Sequence, residues 1–137
     1  MVWGKSEGRS YFGGSVMREI KFRAWNNSHN TMEYDIQNDY DCILSCFGSF
    51  LNNEFWEVMQ YTGLKDENGK EIYEGDIVEQ IGWEGELYKV VFYDYGFKLY
   101  NLSKENMFCN SRYSELCSIH GFNIIGNIYK NPELVGD

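Results

Sequence analysis

Four cysteines and two histidines are the side chains of this 137-residue sequence best suited to metal or nucleophilic chemistry. Cys42 and Cys46 stand four apart, Cys109 and Cys117 eight apart, and His29 and His120 would complete a tetrahedral set. Only the first pair has a short spacing, and the set does not follow the C-x₂₋₄-C…C-x₂-C or C…H pattern of a known zinc site. Buried, reduced thiols are expected instead, with no metal and no cofactor. A cysteine beside His29 or His120 could serve as nucleophile and base, yet no motif links either histidine to a nucleophile. Gly63 to Glu71 (GLKDENGKE) has the glycine-lysine look of a phosphate loop, but five residues separate its glycines where the template has four. Glu71 stands where a magnesium-binding hydroxyl belongs, and Asp66, Glu67 and Glu71 would repel phosphate. Asp66 to Gly69 also misses the calcium-loop template, whose glycine comes at the sixth position. Glu74 and Asp76, two apart, face the same way on an extended chain and could form an acid–base pair; beside a turn such carboxylates are ordinarily solvated. No catalytic residue is assigned, and an enzyme is not expected.

The aromatics carry the better functional argument. Trp83 lies in a Gly82-Trp83-Glu84-Gly85 turn, and Tyr93, Tyr95 and Tyr100 bracket the next reversal at Asp94-Tyr95-Gly96. Loop aromatics on a small β domain either anchor a protein partner or staple their loops to the core. Both uses stay open for these four.

The elements that would position them follow from composition. The chain has one alanine, Ala24, against 13 Asn and 14 Gly, with Val, Ile, Tyr, Phe and Trp abundant. These are the preferences of strands and turns rather than helices. With 43% apolar residues and 24 aromatics the chain can bury one core, so a single domain is expected and a disordered acidic tail is excluded. No apolar run approaches the roughly 18 residues of a membrane span or the apolar stretch of a signal peptide. The sequence therefore reads as cytoplasmic, without a membrane partner.

Charge is unevenly spread. Residues 1–23 carry five basic side chains against Glu7 and Glu19, a net +3, which leaves −12 of the overall −9 on residues 24–137. A body this acidic repels nucleic-acid phosphates, so nucleic acid is not an expected partner of it.

Met1 to Val16, with four glycines and no hydrophobic period, reads as a flexible leader. From Met17 the alternation of Ile20, Phe22 and Ala24 with Glu19, Lys21 and Arg23 predicts a strand with one wet face. Asn26 to Asn30 turns the chain into a second strand over Thr31 to Ile36. Tyr40, Ile43, Leu44, Phe47 and Leu51 fall at helical spacing, predicting a short helix between Asp39 and Leu51. Phe55 to Tyr61, Leu87 to Tyr93, Phe97 to Leu102 and Phe122 to Tyr129 read as further strands, and Arg112 to Ile119 as one or two helical turns. Between them, Asn68-Gly69 and Glu74-Gly75 mark tight turns. Gly63, Gly69, Gly75 and Asp76 sit where sharp reversals need glycine or a self-bonding side chain, and Gly126 suggests a bulge or a close backbone approach. Ile72, Ile77, Val78, Val90, Phe92, Ile124, Ile125 and Ile128 are the expected core of a small barrel.

REIKFRAW at 18–25, QYTGLKDENGKEIYEGDIVEQ at 60–80, VVFYDYGF at 90–97 and IIGNIYKNPEL at 124–134 resemble the YopX family, small proteins of bacteriophages and prophages of Gram-positive bacteria. The resemblance runs in order from Met17 to Leu134, apart from residues 37–55 and 103–120. It implies a β-rich α+β fold whose later part is an SH3-like barrel. The domain then covers residues 17–137: an N-terminal β-hairpin and short helix over 17–59, and the barrel part over 60–134. It assigns no activity, cofactor or catalytic residue.

Three functional classes follow. The first is a non-enzymatic phage accessory protein that binds a host or viral protein through the aromatic loops. The second is an acidic mimic of nucleic acid that occupies the basic groove of a host DNA-handling enzyme. The third is a nucleic-acid binder using the basic residues at 5–23 as an arm. Exposed strand edges also allow a homo-oligomer.

Overall fold

Asn26 makes the first chain reversal. In the computed structural model, which describes residues 19–38, 47–82, 85–102, 113–116 and 121–136, its Oδ1 accepts from the N–H groups of Ser28 at 2.8 Å and His29 at 3.1 Å. Asn30 completes the turn in the left-handed region, which asparagine tolerates. The result is the expected hairpin of β1 (Phe22–Asn26) and β2 (Thr31–Tyr34). The second strand is shorter than expected. Asp35, with φ of 57°, ends it, and Ile36 enters a 3-10 turn over Ile36–Asn38 with its side chain fully buried.

The described part of the expected helix is α1 (Phe47–Asn52), one and a half turns long; positions 39–46 lie outside the described residues. Phe50 points inward and joins Ala24 and Ile36 in one core cluster, flanked by Phe22, Phe47, Trp56 and Val58. The exposed Leu51 faces away. β3 (Trp56–Lys65) runs beyond the predicted end at Tyr61, because Gly63 at φ of 91° lets it pass through a register shift instead of stopping. Thr62 stabilises that irregularity: its hydroxyl donates to the Ile72 carbonyl at 2.7 Å and accepts from Leu64 N–H at 3.2 Å. After the Asn68-Gly69 turn, β4 (Glu71–Tyr73) closes a four-stranded antiparallel sheet of order β2-β1-β3-β4.

The chain changes sheets at Glu74-Gly75. Gly75, at φ of 90°, donates to the Val90 carbonyl at 2.8 Å and accepts from Ile128 N–H at 2.9 Å, and an added Cβ would meet Met59 Sδ at 3.0 Å. Beyond it come β5 (Asp76–Gln80), β6 (Leu87–Tyr93), β7 (Gly96–Asn101), β8 (Tyr113–Glu115) and β9 (Phe122–Asn127). They form a second antiparallel sheet of order β8-β7-β6-β5-β9, curled into a half-barrel. The protein is thus mostly β with few short helices, as its composition predicts.

Three local expectations are corrected. The helical turns expected within Arg112 to Ile119 give way at Tyr113–Glu115 to β8, paired along β7; the rest of that stretch lies outside the described residues. The half-barrel core consists of Ile72, Val78, Val90, Leu99 and Phe122, with Ile124 half-buried against it. Phe92 and Ile125, expected inside, are 56% and 39% exposed: Phe92 lies next to the β6–β7 turn, opposite Phe97, and Ile125 is the extra residue where β9 slips register against Ile77 and Val78. Arg23 is the third. Its face of β1 was expected to be wet, yet Arg23 and Trp25 are buried, because the second sheet packs there: Trp25 stacks on Tyr129 with ring centroids 5.9 Å apart.

Candidate functional site

The β6–β7 hairpin places the aromatics that the sequence singles out. Asp94 and Tyr95 form its two-residue loop with φ of 52° and 67°, both in the left-handed region that a tight antiparallel hairpin requires. Asn-Gly is the favoured pair at such positions, so a tyrosine here is a costly choice for the fold. Tyr95 is 97% exposed at the tip.

Register then puts Lys89, Val91 and Tyr93 of β6 opposite Tyr100, Lys98 and Gly96 of β7 on one face, with Tyr113 of β8 paired to Tyr100. Tyr93 stacks on Tyr113 with centroids 3.9 Å apart and planes 5° from parallel, and Tyr100 meets Tyr113 edge-on at 5.1 Å. Lys89 Nζ lies 5.3 Å from the centre of the Tyr100 ring. Lys98 pairs with Glu115 across β7 and β8 on the same face as the rings. At the same end of the hairpin, Phe92 meets Phe97 edge-on at 5.3 Å on the opposite face. Contacts of this kind contribute about 0.5–1.5 kcal/mol each beyond burial, so the rings are held in defined orientations although Tyr93 is 48% exposed.

Of the four residues proposed from sequence, the fold links Tyr93 and Tyr100 through Tyr113 and sets Tyr95 apart at the tip. Trp83 lies outside the described residues, as do all four cysteines and His120. Tyr113 lies in the stretch expected to be helical; the Tyr-Ser-Glu alternation is its one sequence signal for a strand.

The sheet junction holds a second arrangement. Asp76, read from sequence as a turn residue, is 2% exposed. Its Oδ1 accepts from Arg23 Nη2 at 2.8 Å and its Oδ2 from Tyr73 N–H at 2.8 Å. The same Nη2 donates to the Glu74 carbonyl at 3.3 Å, and the guanidinium lies 4.7 Å from the Tyr73 ring centre. Burial pushes the Asp76 carboxyl above its ordinary value, against the opposing pull of Arg23 and the Tyr73 N–H. Burial likewise raises Glu74, whose Oε1 accepts from Gln60 N–H at 3.2 Å. These two carboxylates therefore serve the junction rather than standing in solvent. Asp66 ties the other end: Oδ1 accepts from Asn68 and Lys70 N–H, and Oδ2 from Ile124 N–H of β9. Gly126 closes against the chain that follows, where an added Cβ would meet Asn131 Oδ1 at 2.5 Å.

A four-stranded sheet clamped to a five-stranded half-barrel through a buried arginine–aspartate pair, with tyrosines on the outer hairpin, defines a two-sheet, mostly β class of small protein. The chain belongs to the YopX family: the model described as YopX protein matches residues 21–136. It is similar to the crystal structure of protein EF1440 from Enterococcus faecalis, at 29% identity and a TM-score of 0.54, over 87% of this chain and 99% of that one. It shares its fold with the crystal structure of protein yopX from Bacillus subtilis, at 18% identity and a TM-score of 0.53, over 88% of this chain and 98% of that one. Among curated proteins there is no match. Arg23 and Asp76 both fall in segments that carried the family resemblance, and the fold brings those segments together.

Proposed function

We propose that this protein is a non-enzymatic binding module, an accessory protein of a bacteriophage or prophage that acts in the host cytoplasm on a host or viral protein. The observation that carries this reading is the position of Tyr95: almost wholly exposed, in a backbone conformation that disfavours it, beside the stacked Tyr93, Tyr113 and Tyr100. The ring there buries almost none of its surface in the fold. Tyrosine supplies a large contact area with only two side-chain torsions to immobilise, and such rings dominate the energy of protein interfaces. No helix among the described residues is long and apolar enough to cross a membrane.

The test is affinity capture from host lysate, with and without infection, using the parent chain and Tyr93→Ala with Tyr95→Ala. The reading expects partners that stay bound at about 0.5 M salt, where charge attraction is largely screened, and that the double variant loses. The same partners on the variant sink it. Steep release with salt would favour the acidic mimic, and retention of plain DNA the basic arm at 5–23.

A further inference from the structure

A cavity of about 210 Å³ opens at the sheet junction, and none of the tyrosines on the outer hairpin lines it. Its lining is cationic on an acidic protein: Arg23, Lys70 and Lys130 face one carboxylate, Asp76, whereas the whole chain carries −9. A different element places each cation. Arg23 projects from β1 with its side chain only 4% exposed. Lys70 is fixed by the Asp66 turn, its N–H donating to Asp66 Oδ1 at 2.8 Å and its carbonyl accepting from Asp66 N–H at 2.8 Å. Lys130 follows β9, its N–H donating to Asn127 Oδ1 at 2.8 Å.

The charges on this lining are incompletely matched. Both oxygens of Asp76 are already engaged, by Arg23 and by Tyr73 N–H. Among the described residues neither Lys70 nor Lys130 belongs to an ion pair, although Lys21 and Lys98 do. Arg23 Nε is buried without a hydrogen-bond partner, so the guanidinium keeps donor capacity that the fold leaves unused. Buried donors are seldom left so.

We infer that this cavity binds a phosphoryl dianion. Three cations against one carboxylate leave +2 on the lining, the charge such a group neutralises, and cations set on three separate elements suit an anion with several oxygens better than a flat carboxylate. The loop at Gly63 to Glu71, which fails as a phosphate loop by its spacing, then contributes through Lys70 alone.

Titration of the full-length, ¹⁵N-labelled protein with inorganic phosphate, at constant ionic strength against chloride, tests this. The expected result is a saturable shift of the Arg23 Nε–H signal and of the Lys70 and Lys130 amides. Lys70→Gln with Lys130→Gln should weaken binding about tenfold or more, and arginine at both positions should retain it. Both lysines are exposed, so the variants should melt with the parent. Glycerol 3-phosphate identifies the source: binding equal to phosphate points to a terminal phosphoryl group, and binding of the free ion alone to inorganic phosphate. Tyr95→Ala should leave the titration unchanged, which separates this site from the protein-binding face. Equal, unsaturating shifts in chloride, acetate binding as tightly as phosphate, or a glutamine double variant that titrates like the parent would each overturn the assignment.

Discussion

Asp76 is a carboxylate almost without water, and its environment makes two tests possible at the scale of single residues. Its pair with Arg23 has side chains only 3% and 4% exposed. Replacing both by apolar groups can be neutral, whereas removing one leaves a buried charge alone. Asp76→Asn is thus expected to destabilise the protein by about 3–5 kcal/mol in urea denaturation. Combined with Arg23→Met, the loss should fall short of the sum of the two single losses. Glu74 gives a pH test. Burial raises its carboxyl above the ordinary 4.5, so the native state holds the proton more tightly than the unfolded chain. The resulting stabilisation is complete below that value and disappears as pH rises through the raised one. Glu74→Gln should therefore gain on the parent as pH climbs above 4.5, measured by denaturation at a series of pH values; a constant difference would contradict the assignment.

At the scale of elements, the β6–β7 hairpin sets stability against binding. Tyr95 is almost wholly exposed at its tip and holds φ of 67°, so Tyr95→Gly should raise stability by about 1 kcal/mol while reducing partner capture. A variant that melts lower would show that the ring serves the fold. Elements were legible where side-chain alternation and turn chemistry agree: β1, β6, β7 and the Asn68-Gly69 turn stand where they were expected. They were illegible where one residue or one neighbouring strand overrides the local reading. Asp35 cuts β2 short of Ile36, Gly63 carries β3 past its expected end, and pairing with β7 makes Tyr113–Glu115 a strand where helical turns were expected.

For the molecule as a whole, the two sheets meet through Arg23 and Asp76, Trp25 on Tyr129, and the backbone bonds of Gly75. Contacts buried on both sides of the junction should couple the sheets, so tryptophan fluorescence and far-ultraviolet circular dichroism should report one coincident unfolding transition. Asp76→Asn should lower that midpoint for both probes; two separated transitions in the parent would show that the sheets unfold independently. The sequence by itself determined the β class, most strand positions, the turn glycines and the family, because these depend on local propensity and short-range pattern. It also pointed to Tyr93, Tyr95 and Tyr100. Only the tertiary structure decided that Arg23 is buried, that it meets Asp76 across 53 positions, that Tyr113 bridges Tyr93 and Tyr100, and that Lys70 and Lys130 line one cavity. Alternation along a strand gives the direction of a side chain but not what covers it, and the covering surface here comes from the other sheet.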